Sequence, residues 1–195
     1  MTSPSCNEPI AVIGTGCRFP GGIDTPSKLW TELKAPSDLQ RPIPKDRFNI
    51  DAFYHEDRTF PGRTNVRHAY TLSGDTHAFD APFFNIQPHE AEAIDPQHRL
   101  LLETVYDGVA SAGLKLEDLT GSATAMYLGV MTYDFDANVK RDLNSILTHT
   151  ATGTSSCIAS NRVSYFFDWH GPSVSQEMPT LAFCHAKHYR HLFCV

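Results

Sequence analysis

The apolar positions of this chain fall into short runs, spaced stripes and long polar gaps, and each pattern predicts a different element. Pro9-Ile10-Ala11-Val12-Ile13-Gly14 is an unbroken apolar run closed by glycine, the pattern of a buried strand. Thr25-Pro26 predicts a helix start, because Thr accepts from a free N–H at the N-cap and Pro lacks the N–H that would be orphaned next. Leu29, Trp30 and Leu33 would be its inward stripe. The strongest signal predicts a helix from about Pro96 to Ala112, capped by Asp95, opened by Pro96 and stopped by Gly113 in the left-handed region. Ile94, Leu101, Val105, Val109 and Ala112 then share one face.

Ala125 to Met131 reads as a second buried strand, and Asp136 to Leu147 and Ser155 to Asp168 as helices. Of the 13 prolines, 11 lie in the first 96 residues, so Pro36 to Asp51 and Tyr54 to Thr76 are read as long loops. Strands and helices alternate, which makes the fold class α/β.

Composition narrows the functional classes. The 195 residues are 41% hydrophobic and 19% charged, enough to build a core. With 22 acidic against 16 basic residues there is no electrostatic footprint for nucleic acid. No apolar stretch approaches the roughly 18–20 residues of a membrane span. Met1 to Pro9 is polar and lacks the apolar run of a signal peptide, so the expected location is cytoplasmic. Five scattered cysteines without a C-x-x-C pair predict reduced thiols rather than a disulfide framework.

Four groups invite chemistry. Gly14-Thr15-Gly16 follows a predicted strand, but a dinucleotide fingerprint needs a third glycine where Phe19 stands, so a glycine-bearing loop is the favoured reading. Cys157 sits after Ser155-Ser156 at a predicted helix start, where a thiol can be activated. It has no nameable base, and a small residue packed on a neighbouring element accounts for it better. Cys184, His185, His188, His191 and Cys194 cluster near the end; zinc uses such ligands, yet no finger spacing is matched and no metal site is assigned. The histidines at 55, 68, 77 and 89 are read as surface residues.

Several ordered motifs together resemble one family. Glu8 to Gly14 with Gly16-Cys17-Arg18-Phe19-Pro20-Gly21-Gly22 is similar to the opening of modular polyketide synthase ketosynthase domains. Leu29-Trp30, Pro44-Lys45-Asp46-Arg47-Phe48, Phe79-Asp80, Phe83-Phe84, Glu90-Ala91 and Asp95 to Glu103 continue in the family's order. Ala151 to Thr154, Ser160 to Asp168 and Gly171-Pro172-Ser173 resemble it further, and the wording of Tyr165 to Pro172 is similar to the fungal iterative, highly reducing synthases, some fused to peptide synthetase modules. The resemblance implies the N-terminal half of a thiolase-like fold (a layered α-β-α-β-α sandwich), here truncated. It implies decarboxylative Claisen condensation in secondary metabolism, between an acyl group on a cysteine and a malonyl group on acyl carrier protein. Both groups travel on phosphopantetheine, so the partners it implies are acyl carrier protein and other synthase modules.

The likeness fades after Val174. Counting from Gly171, the family's nucleophilic cysteine would fall at Thr180, Cys184 is displaced by four residues, and neither catalytic histidine motif is present. No catalytic, cofactor-binding or metal-binding residue is therefore carried over, and no cofactor is expected in this chain. The predicted organisation is a flexible terminus at 1–7, the synthase-like part at 8–174 and a divergent tail at 175–195 outside the native core. The family homodimer is not expected, since the strand that pairs across its axis is disrupted after Val174. The chain reads as an inactive ketosynthase fragment; alternatives are a non-catalytic interaction or decoy protein, or a frameshift, retained intron or gene-boundary artefact of a complete synthase.

Overall fold

The structure, a computed structural model, describes residues 10–177 apart from Asp46, Leu143 and Ser145. Two compact units divide the chain: Cys17–Thr76, and the residues up to Gly16 together with those from His77 onward.

The Cys17–Thr76 unit is mostly loop, as the proline distribution predicts. Its helix α1 (Pro26–Lys34) begins where Thr25 accepts from the Lys28 N–H at 3.3 Å. Trp30 and Leu33 are 60% and 64% exposed, so the predicted inward stripe is wrong. Helical spacing shows that residues share a face, not that anything covers it. Strands β1 (Arg41–Pro42) and β2 (His68–Ala69) pair antiparallel, and Arg41 reaches across to the Thr71 hydroxyl and the Leu72 carbonyl. Arg67 stacks over the Tyr54 ring at 3.7 Å and pairs with Asp51 at 2.9 Å.

In the larger unit, α2 (Pro88–Ala93) runs into α3 (Pro96–Ser111) through a bend at Ile94-Asp95. Asp95 accepts from the Gln97 N–H at 2.8 Å, and Gly113, at φ 71°, ends the helix as predicted. α4 (Leu116–Leu119) leads to β3 (Met126–Val130). Then come α5 (Asp134–Val139), α6 (Thr150–Thr154), α7 (Ser156–Phe166) and β4 (Ser173–Glu177). β3 and β4 lie parallel, with Met126 opposite Ser173 and Val130 opposite Glu177. α7 covers the pair and packs on α3. Ile94, Leu102, Val105, Val109 and Val163 are almost completely buried between them.

Three further expectations change. Ile10 to Gly14 forms no strand: none of the described residues pairs with it, and Ile10 is 74% exposed. An apolar run becomes a buried strand only where a neighbour takes its N–H and C=O groups. The helix predicted over Asp136 to Leu147 is the shorter α5, which ends at Val139; beyond it the Asp142 carboxylate accepts from the Asn144 N–H at 3.0 Å, a local bond of the kind that competes with helical ones. Residues 175–177, read as tail, extend β4: the Ser175 hydroxyl donates to Ser160 Oγ at 2.8 Å, beneath α7. No helix among the described residues is long and apolar enough to cross a membrane.

Candidate functional site

Open parallel sheets present ligand sites at the carboxyl ends of their strands. Here those ends are Val130 and Glu177, and the segment after β3 is pinned from two sides. From α3, Gln97 Nε2 donates to the Thr132 carbonyl at 3.3 Å and to Asp95 Oδ2 at 3.2 Å. From α6, the Thr154 hydroxyl donates to Asp136 Oδ1 at 2.7 Å. Burial pushes the Asp95 carboxyl up, against the two Gln97 bonds that favour its charge. Asp136 is held below its ordinary value, first by Lys140 at 2.7 Å and then by Thr154.

A second, partly buried polar cluster lies among the helices. Arg162 on α7 pairs with Glu90 on α2 at 2.7 Å and donates to the Thr152 carbonyl at 3.4 Å. His98 on α3 is 5% exposed, and its Nδ1 has no hydrogen-bond partner among the described residues. Burial, and then the Arg162 charge, push its pKa down to about 4. Neutral and weakly basic at pH 7, it packs rather than accepts protons. Arg162 thus ties α2, α6 and α7 together, with His98 of α3 near enough to feel its charge.

The residues singled out from sequence fall elsewhere. Gly14 and Gly16 lie on α3, where a Cβ would come within 2.2 Å of the Gly108 carbonyl oxygen and 2.3 Å of that of Thr104. Those glycines serve close helix approach, not a phosphate. The Ser111 hydroxyl locks the loop, accepting from the Thr15 N–H at 2.8 Å and donating to the Thr15 carbonyl at 3.0 Å. Cys157 is exposed instead of packed, because the buried face of α7 is Ala159, Ser160, Val163 and Ser164. His68, His77 and His89 are exposed and His55 half-buried. Thr180 and the group Cys184, His185, His188, His191 and Cys194 lie outside the described residues, among which no metal-holding group of three ligand side chains occurs. Sequence reasoning missed the His98 cluster, although His98 stands three residues before Leu101 and seven before Val105, on the buried stripe.

Comparison with known proteins gives consistent results. The family model described as Beta-ketoacyl synthase, N-terminal domain, matches residues 7–177. The chain is 62% identical over 169 residues to the polyketide synthase component of compactin nonaketide synthase from Penicillium citrinum, covering 87% of this chain and 6% of that protein. It is 59% identical over 169 residues to a polyketide synthase-nonribosomal peptide synthetase of Aspergillus clavatus, covering 87% of this chain and 4% of the relative. Among solved structures, the oxazolomycin ketosynthase domain of Streptomyces albus JA3453 superposes with a TM-score of 0.75 at 31% identity, over 85% of this chain and 28% of that one. A module 6 ketosynthase of the bacillaene synthase from Bacillus subtilis 168 gives 0.70 at 30% identity, over 86% and 26%. The chain thus spans about a twentieth of its curated relatives.

Proposed function

Since the chain belongs to the beta-ketoacyl synthase family, through its N-terminal domain, and carries the N-terminal part of the thiolase-like fold, we propose that it represents the scaffold half of a fungal-type polyketide synthase ketosynthase. In this reading the described residues deliver β4, and the chain leaving Glu177, to the place where a complete synthase carries its nucleophile. The single observation that supports it is the match of residues 7–177, through β4, to the beta-ketoacyl synthase N-terminal domain, in a chain 62% identical over 169 residues to a fungal polyketide synthase.

The reaction served would be decarboxylative condensation of a malonyl unit with an acyl chain. Acyl carrier protein and the other modules of a multidomain synthase would be the partners, their cargo would ride on phosphopantetheine, and the setting would be the cytoplasm. The chain itself would hold no cofactor and no condensing residue: Thr180 stands at the nucleophile's position and Cys184 is out of register. Incubation with an acyl thioester and malonyl-carrier protein tests this. The expected outcome is neither ketoacyl product nor acyl adduct; a stable adduct on Cys184 by mass spectrometry overturns it. Sequencing the transcript across the codons for Val174 to Gln176 separates a fragment from a complete synthase, because a spliced message of the latter continues into the nucleophile segment.

A further inference from the structure

Two histidines from different elements meet at the surface. His89 in the first turn of α2 and His149, the residue before α6, hold their ring centroids 5.1 Å apart with planes inclined at 47°. Neither ring nitrogen pair makes a hydrogen bond among the described residues. Gly153 links the two segments. The Gly153 N–H donates to the His149 carbonyl at 2.8 Å, and the Gly153 carbonyl accepts from the Asp95 N–H, just beyond α2, at 2.9 Å.

We propose that His89 and His149 form a two-imidazole site for a borderline divalent transition ion, zinc or copper(II), with water completing the coordination. A metal–nitrogen bond of about 2.0–2.1 Å, with the nitrogen about 1.1 Å from its ring centre, sets each centroid about 3.2 Å from the ion. At a tetrahedral angle the two centroids then stand about 5 Å apart, so the observed separation leaves room for an ion between the two rings. Imidazole is a ligand that zinc and copper(II) both accept. No third His, Cys, Asp or Glu joins the pair among the described residues, and His89 is exposed, so the remaining positions open to solvent.

The tail residues Cys184, His185, His188, His191 and Cys194 could bind the same ions. The test therefore uses the full chain carrying C184S, H185Q, H188Q, H191Q and C194S, titrated with zinc chloride against a chromogenic chelator. One ion per chain is expected, with His89→Gln and His149→Gln each weakening binding more than about tenfold. An unchanged melting midpoint in EDTA shows that a variant's loss is not unfolding. Copper(II) bound to the tail-substituted chain that keeps both histidines should show electron-spin hyperfine structure from two nitrogens. That readout needs neither His89 nor His149 replaced. No zinc binding, binding indifferent to both substitutions, or an oxygen-only copper spectrum would overturn the proposal.

Discussion

Gly153 is wedged against α2: its carbonyl accepts the Asp95 N–H at 2.9 Å, and a Cβ on it would stand 2.2 Å from the Ala93 carbonyl oxygen. Backbone faces backbone, so no side chain can swing aside. Gly153→Ala should cost about 2–3 kcal/mol, as overpacked sites do. Gly108, inside α3, makes the opposite case, since its Cβ would meet nothing nearer than 3.7 Å. Gly108→Ala should be neutral or stabilising by up to about 1 kcal/mol. Urea midpoints of the two variants check both signs.

Stability should fall on acidification through His98. Its pKa is about 4 folded against 6.5 ordinarily, so between those values the unfolded chain binds the extra proton. The contribution is fully present above pH 6.5 and is lost as pH falls toward 4, amounting to about 2 kcal/mol between pH 7 and pH 5. Asp95 acts in the other sense, because burial raises its pKa and the folded state keeps that proton more tightly. Unfolding free energies of the native chain and His98→Leu at the two pH values test this; equal slopes would refute it.

The Arg162–Glu90 pair is nearly buried on the arginine side, at 12% exposure. Arg162→Met should cost about 2–3 kcal/mol by leaving the Glu90 charge unpaired, and Glu90→Gln about 1 kcal/mol. Losing the Arg162 charge also lets the His98 pKa rise, so the acid sensitivity should shrink in the same variant. Denaturation at two pH values reads both effects.

Ser175 and Ser160 supply a fourth test. Ser160 is completely buried, and the Ser175 hydroxyl accepts from its N–H at 3.3 Å while donating to its hydroxyl. Ser175→Ala should cost about 1 kcal/mol, and adding Ser160→Ala should recover part of it, since removing both partners leaves less unsatisfied. A double-mutant cycle in urea measures the coupling, and zero coupling would show that β4 does not pack as described.

What the sequence made legible was what local chemistry decides. α3 could be read to within one residue because Asp95, Pro96 and Gly113 set its ends and the apolar stripe set its face. β3 was equally plain. What failed, apart from the local turn after α5, was what depends on a distant partner. Ile10 to Gly14 looks like a strand by itself, and the α1 stripe looks buried, but neighbours decide burial. The polar cluster was hidden for the same reason: Glu90, His98 and Arg162 come from three helices, and nothing local announces that they meet.

The parallel pairing of β3 with β4 has a kinetic consequence. Within residues 150–177, α6 packs on α7 and α7 on β4, whereas α2, α3 and β3 of residues 88–130 pack on those later elements, α2 on α6, α3 on α7 and β3 on α7 and β4. Parallel strands cannot be joined by a tight turn, so the register between Met126 and Ser173 waits for the closure of a loop of about 47 residues, an entropic cost of about 3 kcal/mol. That one closure also brings α3 onto α7. Sheet register and helix packing should therefore be acquired in one kinetic phase. Probes on Val105 and Val174 should then report the same folding rate, the slow one set by chain closure rather than by helix growth.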